Sequence, residues 1–528
     1  MNPRVITQPL GSNPLAAAFI AGAGPTGWYE EIPRGPAAWK QRVESTLTQS
    51  SPDWLELLAP AFAASGRAKT RLEASSGGKG IVVTTGQQPG LFGGPIYTLS
   101  KALSALAFAD ALQEATGTPV APVFWAATDD TDFKEASSTV IAVPGGAQLL
   151  RIDHTDALGR TMAAMPLGDV SDQLEALAHG AGSTIDRTPL ELVKRCYSEG
   201  QTVGSAYVFF LRALFESLGI AVIDASDPAT RAAARPLLND ALRHSGEISA
   251  RIADRNREIE AAGFAPQVQD VPGLSLVFST IGGARRRIPI KAAGKQQDAT
   301  DVGPNVLLRP VVERAILPTA TYIGGPAEIA YFAQISPIAD RLGVTRPAIV
   351  PRWSTTIVEP HVEKILEKLY LLPEDFRDPH EVESRVARSH VPKRVLDELE
   401  ATRAALEERL DQLSDAVAQE SATVSANVTG GLRANLLRRL DRFERRLLAA
   451  AKRQHGDVMN EIATARGSLY PLGKPQERSL NFVPLLARYG PALRDDMLRE
   501  AAVHAHRIIG LKDSLALPEA VVSARSAP

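Results

Sequence analysis

Residues 80–101 read GIVVTTGQQPGLFGGPIYTLSK, and this stretch decides the fold. Ile81, Val82, Val83, Thr84 and Thr85 make a β-branched run of the kind that a parallel sheet buries on both faces. After Ile96, apolar residues at Leu99, Leu103, Leu106 and Ala107 recur at helical spacing. Between them lies a loop with Gly86, Gly90, Gly93 and Gly94 and the amides of Gln87 and Gln88. Strand, glycine-rich loop and helix in that order predict a ligand cradle. Backbone N–H groups are exposed, the glycines permit close approach, and the helix N-terminus favours an anionic group. The pattern is neither GxGxxG nor a Walker A. A plain turn is the alternative.

Outward from this stretch, residues 120–127 form a second apolar run that ends in Thr128-Asp129-Asp130-Thr131-Asp132-Phe133. Strand, helix and strand make a βαβ unit with parallel strands, so the acidic turn shares an edge with the glycine loop. Asp129, Asp130 and Asp132 are therefore candidates to position an amine, to hold Mg²⁺ with a nucleotide, or to act as general base. A helix-capping acidic turn is the alternative.

The α/β alternation continues through an insertion at about 140–200, a helix from Ala206, and a strand over 220–224 that ends in Asp224. Residues 274–278, 287–290 and 306–310 predict a small antiparallel patch. Arg285, Arg286 and Arg287 are expected on its solvated hairpin edge, and residues 291–302 are expected to be mobile. A second edge follows at Tyr322-Ile323-Gly324-Gly325-Pro326-Ala327-Glu328, another strand running into a helix start with proline in its first turn. Glu328 there reaches either an amine or its own helix cap. Residues 348–351 supply a last strand, with Arg352 at its end to meet a carboxylate or phosphate.

From about residue 380 the character changes. Leu396, Leu399, Leu406, Leu410, Leu413 and Val417 fall on a three-four repeat, with Arg403 at an a-type position. Leu436, Leu440, Phe443, Leu447 and Ala450 repeat the spacing, and Asn427-Val428-Thr429-Gly430-Gly431 is expected to turn the chain. This predicts an antiparallel helical hairpin whose second, arginine-rich arm pairs with the acidic first arm.

At 528 residues, 44% hydrophobic, 22% charged and with a net charge of -2, the composition argues against a polyanion partner such as nucleic acid. No apolar run approaches the roughly 20 residues that span a bilayer, and residues 14–22 read as mature structure, so a cytoplasmic setting without membrane contact is expected. Cys196 is the single cysteine, which excludes an internal disulfide or multi-cysteine metal site. It reads as a packing residue on a helix, so any thiol chemistry would belong to a substrate.

The residues at both edges, taken together, resemble the BshC family, named for cysteine ligation in bacillithiol biosynthesis. Thr85 to Leu91, Gly94 to Thr98 with Lys101, Pro122 to Trp125, Leu308 to Val312, Tyr322 to Tyr331, Ile349 to Arg352 and Gln476-Glu477-Arg478 carry the resemblance over nearly the whole chain. It implies a Rossmann-like, nucleotidyltransferase-type α/β core with inserted segments and a coiled-coil arm that mediates homodimerisation. It also implies that cysteine is added to the amine of glucosaminyl malate to form bacillithiol. Such a step needs an activated carboxyl, so ATP or another nucleotide is expected, with Mg²⁺ a further candidate.

On this reading Asp129, Asp130, Asp132 and Glu328 are the catalytic candidates. Gly86, Gln87, Gln88, Gly90, Gly94, Tyr97, Gly324, Gly325 and Arg352 are the substrate-binding candidates, and no resident metal site is expected. The organisation expected is a core over 1–378 with inserts at about 140–200 and 270–310, an arm over 379–455, and a helical segment over 456–528 that packs on the core. In one respect the chain departs from the family. Its acidic loop commonly reads Glu-Asp-His-Asp, and Thr131 stands at the histidine position. A threonine cannot exchange a proton near neutral pH. Two alternatives stay open: an impaired member that binds a related amino sugar, and a ligase for another acceptor amine.

Overall fold

The structure is a computed structural model that describes residues 2–11, 13–154, 159–294, 301–420 and 426–511. Two compact units divide the chain. The first comprises Met1–Ile141, Leu149–Ile357 and Glu477–Pro528, and the second Ala142–Gln148 and Val358–Gln476.

The first unit is built on a five-stranded parallel sheet of β1 (Ile81–Gln87), β2 (Val120–Ala126), β3 (Ala221–Asp224), β4 (Thr319–Gly324) and β5 (Ile349–Pro351), in the order β5-β4-β1-β2-β3. The chain leaves β1 toward one edge of the sheet and returns at β4 on its other side. The junction of β1 and β4 is thus the topological switch point of a doubly wound sheet, outside whose carboxyl ends ligands bind. Both glycine edges of the sequence lie there, side by side because β1 and β4 are paired.

Helix α1 (Ile96–Thr116) joins β1 to β2 and is buried on almost every face, not only along the stripe its spacing suggested. Trp39 meets Phe108 edge-on at 5.3 Å between centroids, and the Ser104 hydroxyl accepts from the Trp353 N–H at 3.1 Å. Sandwiched between the sheet and outer helices, it needs small or apolar residues all round. The short α2 (Phe133–Ala136) follows the acidic turn.

Two expectations for residues 270–310 change. The third strand of the antiparallel patch is Val302–Pro304, pairing with Leu274–Ile281, and residues 306–308 are not a strand. They lead into α3 (Arg309–Ile316), because Pro310 suits a first helical turn and the Asn305 side chain accepts from the Leu308 N–H at 3.0 Å. Of the segment expected to be mobile, Ile290–Ala293 is a helical turn and residues 295–300 lie outside the described residues. Helix α4 (Pro326–Phe332) follows β4 as anticipated.

The second unit contains the long helices α5 (Lys393–Glu420) and α6 (Ala426–Gln454). The expected turn at 427–431 is instead helical, inside α6. Residues 421–425, between α5 and α6, lie outside the described residues. Arg433 of the second arm pairs with Asp411 of the first, as the charge pattern suggested, while Arg403 of the first arm reaches the other way to Asp441 at 2.7 Å and Glu444 at 3.2 Å. Leu399 and Leu410 are buried, whereas Leu413 and Phe443 are exposed rather than seated in the seam.

Back in the first unit, α7 (Val483–Ile509), broken at Gly490, covers α1. The segment before it is stitched to the glycine loop: Asn481 Nδ2 donates to the carbonyls of Leu91 and Phe92 at 3.3 and 3.1 Å.

Gly86 shows how tightly β1 and β2 are set. A Cβ at that position would stand 2.7 Å from the Trp125 carbonyl oxygen, which is backbone that cannot yield locally, and 3.0 Å from the Trp125 Cβ. Gly86→Ala is expected to lower stability by about 1–3 kcal/mol, measured as a lower urea midpoint with an unchanged slope.

Candidate active site

Where β1 and β4 end, the first unit opens into a cavity of about 550 Å³, within the range of small-molecule sites. Its floor is the strand ends. Gly86, Gln87 and Gln88 border it from β1, Asp129, Asp130 and Thr131 from the acidic turn after β2, and Gly325 and Glu328 from the start of α4.

A chain of polar contacts fixes this floor. Lys101, buried on α1, donates to the Gly86 carbonyl at 2.8 Å and to Gln87 Oε1 at 2.9 Å, and pairs with Glu328 Oε2 at 2.7 Å. Glu328 in turn accepts from Tyr322 Oη at 2.6 Å and from the Gly325 N–H at 2.7 Å. Glu328 therefore caps its own helix, as one of the two readings expected, and the ammonium it meets is the internal one of Lys101. Burial alone would raise the Glu328 pKa, but the Lys101 charge and these donors hold it below the usual carboxylate range. Burial lowers the Lys101 pKa, against the pull of Glu328.

Arg352 lines the same cavity, and the carboxylate it meets is internal. Its Nη1 and Nη2 donate to Glu477 Oε2 and Oε1 at 2.9 and 2.7 Å, a bidentate pair almost fully buried. Arg309 pairs with Glu313 at 2.6 Å and donates to Tyr331 Oη at 3.1 Å.

The arginine run on the hairpin is not wholly solvated. Arg285 stacks over Phe278 at 4.2 Å, donates to the Asp129 carbonyl at 2.6 Å and pairs with its carboxylate at 3.0 Å. Arg287 also faces the cavity, its Nε donating to the Ser275 carbonyl at 2.9 Å, and Arg286 points outward. Strand alternation sends residues 285 and 287 to one face and 286 to the other.

Four nominated residues lie apart from the cavity lining. Gly90 and Gly94 are buried beneath it: the Gly94 N–H is used by Leu91, the Gly90 carbonyl accepts from Tyr197 Oη at 3.2 Å, and Gly94 takes a positive φ of 82°. The second half of the glycine loop is thus a packed turn, with its N–H groups turned inward. Gly324 gives its carbonyl to the Arg352 N–H. Asp132 is the N-cap of α2, accepting from the Glu135 N–H at 3.1 Å. Asp130 stays at the cavity, where burial and the neighbouring Asp129 charge raise its pKa. Thr131 lines it as well, and no histidine is among the lining residues. Among the described residues no group of three or more His, Cys, Asp or Glu is placed to hold a metal ion, so the three aspartates do not converge as one.

One residue that the sequence reading missed sits at the centre. Glu135 accepts from Tyr97 Oη at 2.9 Å, from Gln87 Nε2 at 3.4 Å and from Gln88 Nε2, joining the glycine loop to the acidic turn. Burial, followed in size by the neighbouring Tyr97 bond that opposes it, leaves its pKa raised.

A doubly wound parallel sheet with a polar, charge-lined cavity at its switch point defines a small-molecule-binding α/β protein, here carrying a helical-hairpin domain. Comparison with known proteins makes this specific. The N-terminal Rossmann-like domain of bacillithiol biosynthesis BshC matches residues 26–300 and 291–353, and the C-terminal coiled-coil domain of the same family matches residues 355–511. The chain belongs to the BshC family. It is 32% identical over 476 residues to a protein of Koribacter versatilis, covering 86% of this chain and 88% of that one. It is 31% identical over 430 residues to a protein of Solibacter usitatus, covering 78% and 80%, and 30% identical over 472 residues to one of Salinibacter ruber, covering 84% and 85%. Each of the three bears the name "Putative cysteine ligase BshC".

Proposed function

We propose that this chain is a ligase that joins the carboxyl of cysteine to the amine of glucosaminyl malate as an amide, yielding bacillithiol. The observation that carries this reading is the switch-point cavity in a chain of the BshC family, bordered by carboxylates that suit an amine and by arginines that suit an acid. Arg287 uses only its Nε in a described hydrogen bond, and Arg478 is an exposed residue at the rim. Both keep donors for the carboxylates of a malate or for a phosphate. Cys196 is buried and its thiol pKa is raised by burial, so the reacting thiol-bearing molecule is the substrate.

Condensation of a free carboxylate with an amine is uphill in water, so a nucleoside triphosphate, supplied as its Mg²⁺ complex, activates the cysteine carboxyl. The lining arginines fit the anionic group this requires. The protein works in the cytoplasm and as a homodimer paired through the helical hairpin, whose Leu413, Val428, Leu432 and Phe443 are large apolar side chains left 43–61% exposed.

The test is direct. Purified protein, incubated under reducing conditions with cysteine, glucosaminyl malate and Mg-ATP, is expected to form the condensed thiol by mass spectrometry, with one nucleotide cleaved per amide. Absence of product with every nucleoside triphosphate overturns the reading.

A further inference from the structure

The proposed reaction needs a group that receives the acceptor amine, which reaches the protein as an ammonium near neutral pH. Five carboxylates stand at the acidic turn and the start of α4, and four are committed elsewhere. Asp129 is paired with Arg285, and Glu328 with Lys101. Asp132 caps α2, and Asp130 Oδ1 accepts the Thr131 and Asp132 N–H groups at 2.6 and 3.3 Å.

Glu135 differs from these. It is held by side chains that themselves line the cavity, the neutral Tyr97 hydroxyl and the amides of Gln87 and Gln88, whereas Asp130 and Asp132 are taken up by the backbone of their own turn. Those donors are themselves oriented. Lys101 fixes the Gln87 carbonyl oxygen at 2.9 Å, which turns the Gln87 amide nitrogen toward Tyr97 Oη at 3.0 Å and toward Glu135. The glycine-loop amides and Tyr97 therefore form a neutral bracket that holds an anionic carboxylate in place without neutralising it. Two oxygens with several lone-pair sites accept these three donors and retain capacity for an ammonium.

We propose that Glu135 is the catalytic residue that binds the acceptor ammonium and takes its proton. The inference rests on the ligase reading above. The Glu135 carboxylate accepts one proton from the ammonium, which frees the nitrogen lone pair. The lone pair forms the C–N bond to the cysteine carboxyl carbon, activated by the nucleoside triphosphate as a mixed anhydride with phosphate. The C–O bond to that phosphate breaks, the phosphate oxygen leaves with the electron pair, and the second nitrogen proton passes to solvent. This role fits a cavity that has Thr131 and no histidine in its lining. Gln87, Gln88 and Tyr97 act through Glu135 and are positioning residues.

The experiment separates amine recognition from turnover. Binding of glucosaminyl malate and of its N-acetylated form is measured by calorimetry for the wild type, Glu135→Gln and Glu135→Asp. N-acetylation is expected to weaken binding to the wild type by about tenfold or more, the worth of one charge-assisted hydrogen bond, and to weaken binding to Glu135→Gln by less than about threefold. Glu135→Asp keeps the preference for the free amine. In turnover, the acidic limb of kcat/KM for the acceptor disappears in Glu135→Gln, while the KM for cysteine stays within about threefold. The charged and titratable groups that act on Glu135 are Tyr97, Lys101, Asp130 and Asp132, with Arg478 acting on Tyr97.

A Glu135→Gln protein with a wild-type melting profile that still prefers the free amine tenfold overturns the proposal, as does one that keeps the acidic limb. If the wild type prefers the free amine through Glu135 but makes no amide, the ligase reading fails and amine recognition by Glu135 stands. If amide forms and Glu135→Gln changes neither the preference nor the limb, the ligase reading stands and the Glu135 proposal fails.

Discussion

Lys101→Met is expected to destabilise the first unit by about 3–5 kcal/mol at pH 7, because it leaves the buried Glu328 carboxylate without its cation. The side chain of Lys101 is 5% exposed and that of Glu328 16% exposed, so water does little to replace the lost charge. Methionine matches the stem of lysine closely enough that packing is not the main loss. Two further contacts disappear as well, those to the Gly86 carbonyl and to Gln87, and with them the orientation of the amide bracket around Glu135.

The pH dependence has a definite sign. In the wild type the Glu328 pKa is held below 4.5, so its contribution to stability is present above that value and is lost as pH falls through the folded-state pKa. In Lys101→Met, burial is opposed only by the Tyr322 and Gly325 donors, and the Glu328 pKa rises. The variant is then penalised at neutral pH for a buried charge and is relieved as that carboxyl protonates. The stability gap between wild type and variant is therefore widest near pH 7 and narrows toward pH 5, measured as urea midpoints across that range. The double variant Lys101→Met with Glu328→Gln removes both charges and should recover much of the loss. A gap that widens in acid would contradict the assignment of Glu328 as the buried partner.

Arg352→Ala is expected to cost about 3–5 kcal/mol for the same reason, since it strands Glu477 among buried groups. Here the consequence reaches across the chain, because Glu477 opens the segment that returns to the core through Asn481 and α7. Glu477 also accepts from the Thr355 N–H at 3.3 Å, so this one carboxylate ties residues 352–355 to the returning segment. The Arg352 side chain also borders the cavity, so its loss alters that wall, whereas the backbone N–H of residue 352 keeps its bond to the Gly324 carbonyl. Arg352→Lys keeps a charge but not the fork, so it should recover less than half of the loss. Chemical unfolding of the three proteins checks the order wild type, then Lys, then Ala. Hydrogen exchange should show faster opening of residues 477–482 in the alanine variant.

The five strands of the parallel sheet were legible because each is a contiguous apolar or β-branched run bounded by turn residues, whereas Val302–Pro304 is too short and too glycine- and proline-rich to show as one. Burial of α1 was legible only in part, since spacing identifies one apolar stripe and cannot show that Ser104 and Lys101 on its other faces are covered too. The same limit applies to the glycine loop. Gly86 and Gly94 look alike in sequence, yet one borders the cavity and the other closes a turn whose Gly90 and Leu91 carbonyls are held by Tyr197 and Asn481 from distant parts of the chain.

Glu135 had no local signal. It lies in a four-residue helical turn, and its partners Tyr97 and Gln88 are 38 and 47 positions away. Arg285 and Arg287 did carry one: on a strand, alternate residues face one side, so a triple arginine run cannot be wholly solvated when that strand covers a cavity.

The site assignment is tested most directly by hydrogen exchange of the full chain with and without saturating glucosaminyl malate. Protection is expected at residues 86–88, 129–135 and 324–328, the three segments that converge at the β1–β4 switch point. Protection confined to the helical hairpin, with these three segments unchanged, would contradict it.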